Sequence, residues 1–193
     1  MRTEASALLE GPHVWTLAPR VAVLMGVSGC GKTTTGRRLA SVLGWTFRDA
    51  DEFHPPENIA KMASGRPLDD SDRAPWLAAI AAWIDERRAT GEGAIVSCSA
   101  LKRAYRDVLI GSRRDVALIY LKGSYALIAD RLSRRRGHFM PPALLRSQFD
   151  ALEEPGPDEG ALVVSMRMPP KRVAERIVAG LGLVPMRRVA PPV

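Results

Sequence analysis

Eight consecutive residues, Gly26-Val27-Ser28-Gly29-Cys30-Gly31-Lys32-Thr33, spell G-x-x-x-x-G-K-T. Residue types in this order can hold the phosphates of a nucleoside triphosphate. Glycines at Gly26, Gly29 and Gly31 let a backbone bend sharply and approach a ligand closely. Successive N–H groups then converge as an anion nest at the mouth of the following helix, which Thr34 enters. In such a loop the Lys32 ammonium reaches the β- and γ-phosphates and the Thr33 hydroxyl ligates Mg²⁺. The chain has only five lysines, so one landing here by accident is rare. A glycine-rich turn without a ligand is the plain alternative.

A second cluster lies at Asp49-Ala50-Asp51-Glu52-Phe53-His54. Carboxylates at i and i+2 on an extended segment point the same way. Beside a triphosphate, Asp49 and Asp51 could therefore divide the labour. One would order Mg²⁺ through water, and the other would accept a hydrogen bond from the attacking hydroxyl. The competing reading is that these acids cap the next segment. His54 alone reads equally well as a structural hydrogen-bond partner, and the sequence puts no second His or Cys at metal-ligand spacing from it.

Three more segments carry charge in useful places. Residues Lys61 to Arg73 alternate in sign, as self-paired surfaces do, yet this stretch could also close over a polyhydroxylated anion. Ser97-Cys98-Ser99-Ala100-Leu101-Lys102-Arg103 brings two hydroxyls and a basic pair to an expected helix start, which suits an anion, with Ser99 as the helix cap. The basic run from Arg131 to Arg136 is either a solvated face or a flap over phosphates, with Gly137 as a hinge. Helical spacing puts Arg131 and Arg135 on one side of that flap.

These loops need elements to position them. Apolar runs at Val21–Met25, Trp45–Arg48, Ala94–Cys98, Val116–Leu121 and Leu162–Ser165 read as strands. Helical patterns at Lys32–Leu43, Pro75–Thr90, Tyr125–Arg135, Pro141–Leu152 and Pro170–Leu181 fall between or after them. Alternation of this kind predicts a three-layer α/β fold: a five-stranded parallel sheet with helices on both faces. Ligands in such sheets sit beyond the carboxyl ends of the strands, which is where the segments above fall. Trp76, Leu77, Ile80, Trp83 and Ile84 share one helical face and are expected in the core. Pro75 is expected in the first turn of that helix.

Length and composition agree with one domain: 193 residues, 46% apolar and 25% charged. The expected boundaries are an N-terminal extension over residues 1–19, a catalytic domain over 20–183 with a helical lid at about 126–155, and a basic tail over 184–193. No run approaches the ~20 apolar residues of a membrane span. The Ala5–Leu9 run is too short for a signal peptide, so a cytoplasmic location is the expectation. The net charge of +7 comes almost wholly from arginine, the residue suited to forked contacts with phosphate and carboxylate. Nucleic-acid binding ranks last, because no aromatic-interleaved basic stripe accompanies the charge. Cys30 and Cys98 form neither a disulfide framework nor a zinc cluster.

Several stretches together resemble the gluconate kinases of the P-loop, nucleoside-monophosphate-kinase-like group. The matching text is M-G-V-S-G-C-G-K-T at Met25–Thr33, D-A-D-E-F-H-P-P-E-N-I-A-K-M at Asp49–Met62, and G-R-P-L-D-D-S-D-R-A-P-W-L at Gly65–Leu77. It continues with C-S-A-L-K-R-A-Y-R-D at Cys98–Asp107, G-H-F-M-P at Gly137–Pro141 and S-Q-F-D-A-L-E-E-P at Ser147–Pro155. The resemblance implies ATP- and Mg²⁺-dependent phosphorylation of D-gluconate at its 6-hydroxyl by a homodimer. It implies that Gly26–Thr33 hold the triphosphate and that Asp51 lies nearest the acceptor hydroxyl. His54, Arg73, Lys102 and Arg103 would hold the sugar acid, and Arg131 and Arg135 would sit in the lid. Ala50 and Cys30 stand where the family commonly has glycine and serine. A kinase for another small metabolite, such as shikimate or a nucleotide, is the nearest alternative. A nucleotide-dependent binding module is the next, although no Asn-Lys-x-Asp guanine-reading motif occurs.

Overall fold

Val21-Ala22-Val23-Leu24-Met25 offers water nothing polar, and each of these residues is at most 1% exposed. They form the central strand of the sheet. The computed structural model describes residues 18–134 and 142–186. In chain order the elements are β1 Val21–Met25, α1 Lys32–Leu43, β2 Thr46–Asp49, α2 Pro56–Ala63, α3 Asp70–Thr90, β3 Ala94–Ser97 and α4 Arg103–Leu109. They continue with β4 Val116–Lys122, α5 Tyr125–Ser133, α6 Pro142–Asp150, β5 Leu162–Ser165 and α7 Pro170–Gly180. The sheet order is β2-β3-β1-β4-β5 and every pairing is parallel.

Side chains alternate across the sheet. Ala22, Leu24, Ile95, Ala117, Ile119 and Leu121 pack with Leu39 and Leu43 of α1 and Val173 and Ile177 of α7. Val21, Val23, Met25, Val96, Leu118 and Tyr120 pack with Trp76, Leu77, Ile80 and Ile84 of α3 and Leu109 of α4. Fully burying one such aliphatic side chain stabilises the fold by roughly 1.5–3 kcal/mol. The helices are therefore held by the sheet more than by their own propensity. This is the expected architecture, with strand ends shifted by a residue or so.

Two stretches differ from the sequence expectation. Pro56–Ala63 is a helix that the charged reading of this region passed over; Pro56 at its start, Glu57 in the first turn and Lys61 in the last are its signals. The other is α3, which begins at Asp70, so Pro75 lies inside it rather than in its first turn. A capping box sets that start. The Asp69 side chain accepts from the Asp72 N–H, and the Asp72 side chain accepts from the Asp69 N–H. Pro75 so near the helix start removes only one early backbone bond. The alternating charges are largely self-paired: Lys61 bridges Asp69 at 3.0 Å and also contacts Asp72.

The extension expected over residues 1–19 lies outside the described residues except for Ala18 and Pro19, and so do Arg135, Gly137 and residues 187–193. The start of the tail is anchored by the Met186 N–H, which donates to the Val42 carbonyl at 2.8 Å.

Candidate active site

The turn that leaves β1 is built for close approach. Gly26 has φ 140°, and a Cβ there would stand 2.9 Å from the Leu121 carbonyl oxygen. Its N–H donates to the Ser99 carbonyl at 3.2 Å, tying the loop to the end of β3. Gly29 has φ 80°, and a Cβ on it would collide with Leu132 of α5 at 2.7 Å. The loop then runs through Cys30 and Gly31 into α1. Lys32 folds back across it, its Nζ donating to the carbonyls of Gly26 at 2.9 Å and Val27 at 3.1 Å.

At the first turn of α1, the Thr33 hydroxyl donates to Asp49 Oδ2 at 2.8 Å. The two residues expected to ligate Mg²⁺ are thus in contact, from α1 and β2. Both are oxygen donors, the chemistry a hard divalent cation takes. The extended i, i+2 geometry expected of Asp49 and Asp51 is not what forms, because β2 ends at Asp49 and Ala50–Phe53 winds into a 3₁₀ turn. Asp49 caps that turn, accepting from the Asp51 N–H at 3.4 Å, while Glu52 accepts from the Asp49 N–H at 3.1 Å. Asp49 thus caps the turn with Oδ1 while its Oδ2 meets Thr33.

Trp76 fixes the same turn from the other side. Its Nε1 donates to the Ala50 carbonyl at 2.7 Å, and its ring stacks on His54 with centroids 4.6 Å apart. The tryptophan is a core residue, as expected, and it also carries part of the cleft wall. Burial lowers the His54 pKa below its ordinary value, and Arg73 pushes the same way against the opposing pull of Asp51. The imidazole is accordingly neutral near pH 7.

One cleft of about 1440 Å³ joins these groups at the carboxyl ends of the strands. Its lining includes Lys32, Thr33, Thr34, Asp49, Asp51, His54, Arg73 and Arg131. Lys102 and Arg103 do not line it. Lys102 turns to Asp70, donating to both carboxylate oxygens at 2.9 and 2.7 Å. Arg103 pairs with Asp158 at 2.6 Å on an exposed face. The helix start expected at Ser99 falls three residues later, with Lys102 at the cap position. Arg106 explains the shape of this loop. It is 2% exposed and donates to the carbonyls of Ala100, Leu101 and Glu153 at 3.2, 3.1 and 2.9 Å, and to Glu159 at 2.8 Å.

Helices α5 and α6, which fall where a lid is expected, reach the middle of the phosphate loop. Arg131 of α5 donates to the Cys30 carbonyl at 3.5 Å and also to the Met166 carbonyl. Gln148 of α6 accepts from the Ser28 N–H at 2.6 Å. Sequence reasoning gave Gln148 no role; the Ser147–Pro155 stretch carried the signal but served only as kinship. Asp70, part of the Lys61–Arg73 stretch that could close over a polyhydroxylated anion, instead gathers Lys102, Arg73 and Tyr105. Hydrogen bonds from Lys102 and Tyr105 hold that carboxyl below the usual carboxylate range. Met166, Met168 and Pro170, which follow β5, also line the cleft. Both cysteines are buried, and burial raises both thiols, Cys98 to about 12.

Comparison with known proteins places this arrangement. The sequence profile of the shikimate kinase family matches residues 28–155. A gluconokinase of Gluconobacter oxydans is 49% identical over 162 residues, covering 84% of this chain and 91% of its own. The thermoresistant gluconokinase of Escherichia coli is 46% identical over 152 residues, with 77% and 86% covered. A solved gluconokinase structure from Sinorhizobium meliloti is similar with a TM-score of 0.76 at 44% identity, covering 86% of this chain and 93% of that one.

Proposed function

The chain belongs to the gluconokinase family of P-loop kinases, and on that premise we propose that it transfers the terminal phosphoryl group of ATP to the 6-hydroxyl of D-gluconate. The products are 6-phospho-D-gluconate and ADP. The observation that carries this reading is the meeting of Lys32, the Thr33–Asp49 pair, Asp51, His54 and Arg73 in one cleft.

Phosphoryl transfer asks a protein mainly for alignment and charge neutralisation. The phosphate-loop amides and Lys32 hold the triphosphate. To do so, Lys32 exchanges its bonds to the Gly26 and Val27 carbonyls for phosphate oxygens. Thr33 and Asp49 would hold the divalent cation, which when bound would supply charge neutralisation for the triphosphate. Asp51 accepts the proton of the acceptor hydroxyl, or its hydrogen bond, and so directs the oxygen lone pair at phosphorus. Arg73 takes the gluconate carboxylate as a forked ion pair, and neutral His54 takes a hydroxyl. Arg131 lies over the loop from the lid and offsets charge that spreads onto the transferring group; Arg135 belongs to the same proposal. Lys102 and Arg103 reach the acid only if the loop carrying them turns inward and Lys102 leaves Asp70.

Purified protein with MgATP and a panel of acceptors tests the assignment through coupled ADP release. Release is expected with D-gluconate and not with shikimate. The shikimate kinase profile gives the second reading its weight, and release with shikimate alone would reverse the choice. The proposal extends to a Mg²⁺-dependent homodimer in the cytoplasm. Among the described residues no helix is long and apolar enough to cross a membrane, and light scattering reads the oligomeric state.

A further inference from the structure

A hydroxyl at the carboxyl end of β3 has no task in the packing. Ser97 is 1% exposed and lines the cleft. Its Oγ has no hydrogen-bond partner among the described residues. Buried polar groups are overwhelmingly paired, and alanine in this place would spare the fold an unpaired hydroxyl.

Its position narrows what the hydroxyl can serve. In the parallel ladder Asp49 of β2 is paired with Ser97 of β3, so their side chains project from the same face of the sheet. Two residues earlier in each strand, Phe47 and Ile95 belong to the core that α1 covers. Thr33 lies in the first turn of α1 and already donates to Asp49 at 2.8 Å. Helix α1 and the paired strands β2 and β3 therefore bring oxygen atoms to one corner of the cleft. Two of these oxygens bond to each other, and the third is buried beside them with its hydrogen-bonding capacity unused. A hydroxyl has one donor and two acceptor sites, and Mg²⁺ keeps several of its waters when proteins bind it.

We propose that Ser97 is a positioning residue for the divalent cation: its Oγ accepts a hydrogen bond from a cation-bound water and fixes the cation against Thr33 and Asp49. This deepens the proposed function, because it rests on Thr33 and Asp49 being the cation's protein oxygens. Groups that orient metal-bound ligands commonly alter metal affinity by about tenfold or more when removed.

Mn²⁺ is the probe. Its binding to the full-length protein saturated with ADP is followed by the paramagnetic resonance of free Mn²⁺, for wild type, Ser97→Ala and Asp49→Asn. Binding of ADP in EDTA and the melting temperature in EDTA are measured beside it. Ser97→Ala is expected to weaken Mn²⁺ binding roughly tenfold while leaving ADP binding in EDTA unchanged, with a melting temperature in EDTA equal to or above wild type. A merely structural serine would not move the Mn²⁺ affinity. Wild-type Mn²⁺ affinity in Ser97→Ala overturns the inference, and so does loss of ADP binding in EDTA, which would make the hydroxyl a nucleotide contact. If Asp49→Asn also binds Mn²⁺ like wild type, the underlying assignment of the cation site fails. If Asp49→Asn loses Mn²⁺ and Ser97→Ala does not, only the role of Ser97 is lost.

Discussion

At the scale of single residues, Asp49 and Asp51 show how one short acidic stretch meets two separate surroundings. Asp49 is consumed by contacts to Thr33 and to the turn that follows it. Asp51 enters that turn with its carboxylate facing the cleft and no side-chain partner on it among the described residues. The group left free is the one suited to an incoming hydroxyl. Asp51→Asn is expected to lower kcat by roughly 10²–10⁴-fold, the usual yield of a positioned base, with ATP affinity close to wild type. Steady-state kinetics beside calorimetric ATP binding make the check; a change confined to ATP affinity would move Asp51 to the nucleotide site. Both acids were legible in the sequence because a phosphate loop preceded them. Their unequal roles were not, since those depend on a 3₁₀ turn that no periodicity announces.

At the scale of elements, α3 does more than cover the sheet. Its capping box starts it at Asp70 and so sets which residues face β2 and the cleft. Trp76 then donates to the Ala50 carbonyl, between the two acids. Trp76→Phe keeps an apolar ring in the core and removes that bond. Leaving a buried carbonyl unpaired costs about 1–3 kcal/mol in stability. The slackened turn is expected to lower kcat roughly ten- to a hundredfold, because small misplacement of a reacting group is costly. Denaturant melts and kinetics read the two effects. A kcat equal to wild type would mean that the Asp49 and Glu52 caps alone hold the turn. The tryptophan's burial followed from helical spacing, but its bond to a carbonyl 26 residues away had no sequence signal.

At the scale of the whole molecule, several arginines are built into the fold as ion pairs. Arg88 and Arg113 converge on Asp85, at 2.9 and 2.7 Å, and Arg113 there, with Arg88 on Asp115, binds α3 to the segment ahead of β4. Hydrogen bonds from Arg113 lead in pulling the Asp85 carboxyl down to about 2, with Arg88 adding to them. A carboxyl depressed on folding contributes stability in full above its unfolded pKa, and the contribution fades as pH falls through its folded value. The gap in melting temperature between wild type and Asp85→Asn is therefore expected to close as pH falls from about 5 to about 2. A gap constant over that range would show that the pair adds no pH-linked stability. The amino-acid sequence by itself determined the alternation of strands and helices, the phosphate loop, the acid pair and the kinship, because each is written in adjacent residues or in a local period. Only the tertiary structure decided that Ser97 stands beside Asp49, that Gln148 reaches Ser28, and that Lys102 and Arg103 turn to Asp70 and Asp158 instead of the cleft. Those contacts follow from the strand order β2-β3-β1-β4-β5. Strand order is settled by how distant segments bury one another, which local patterns do not encode.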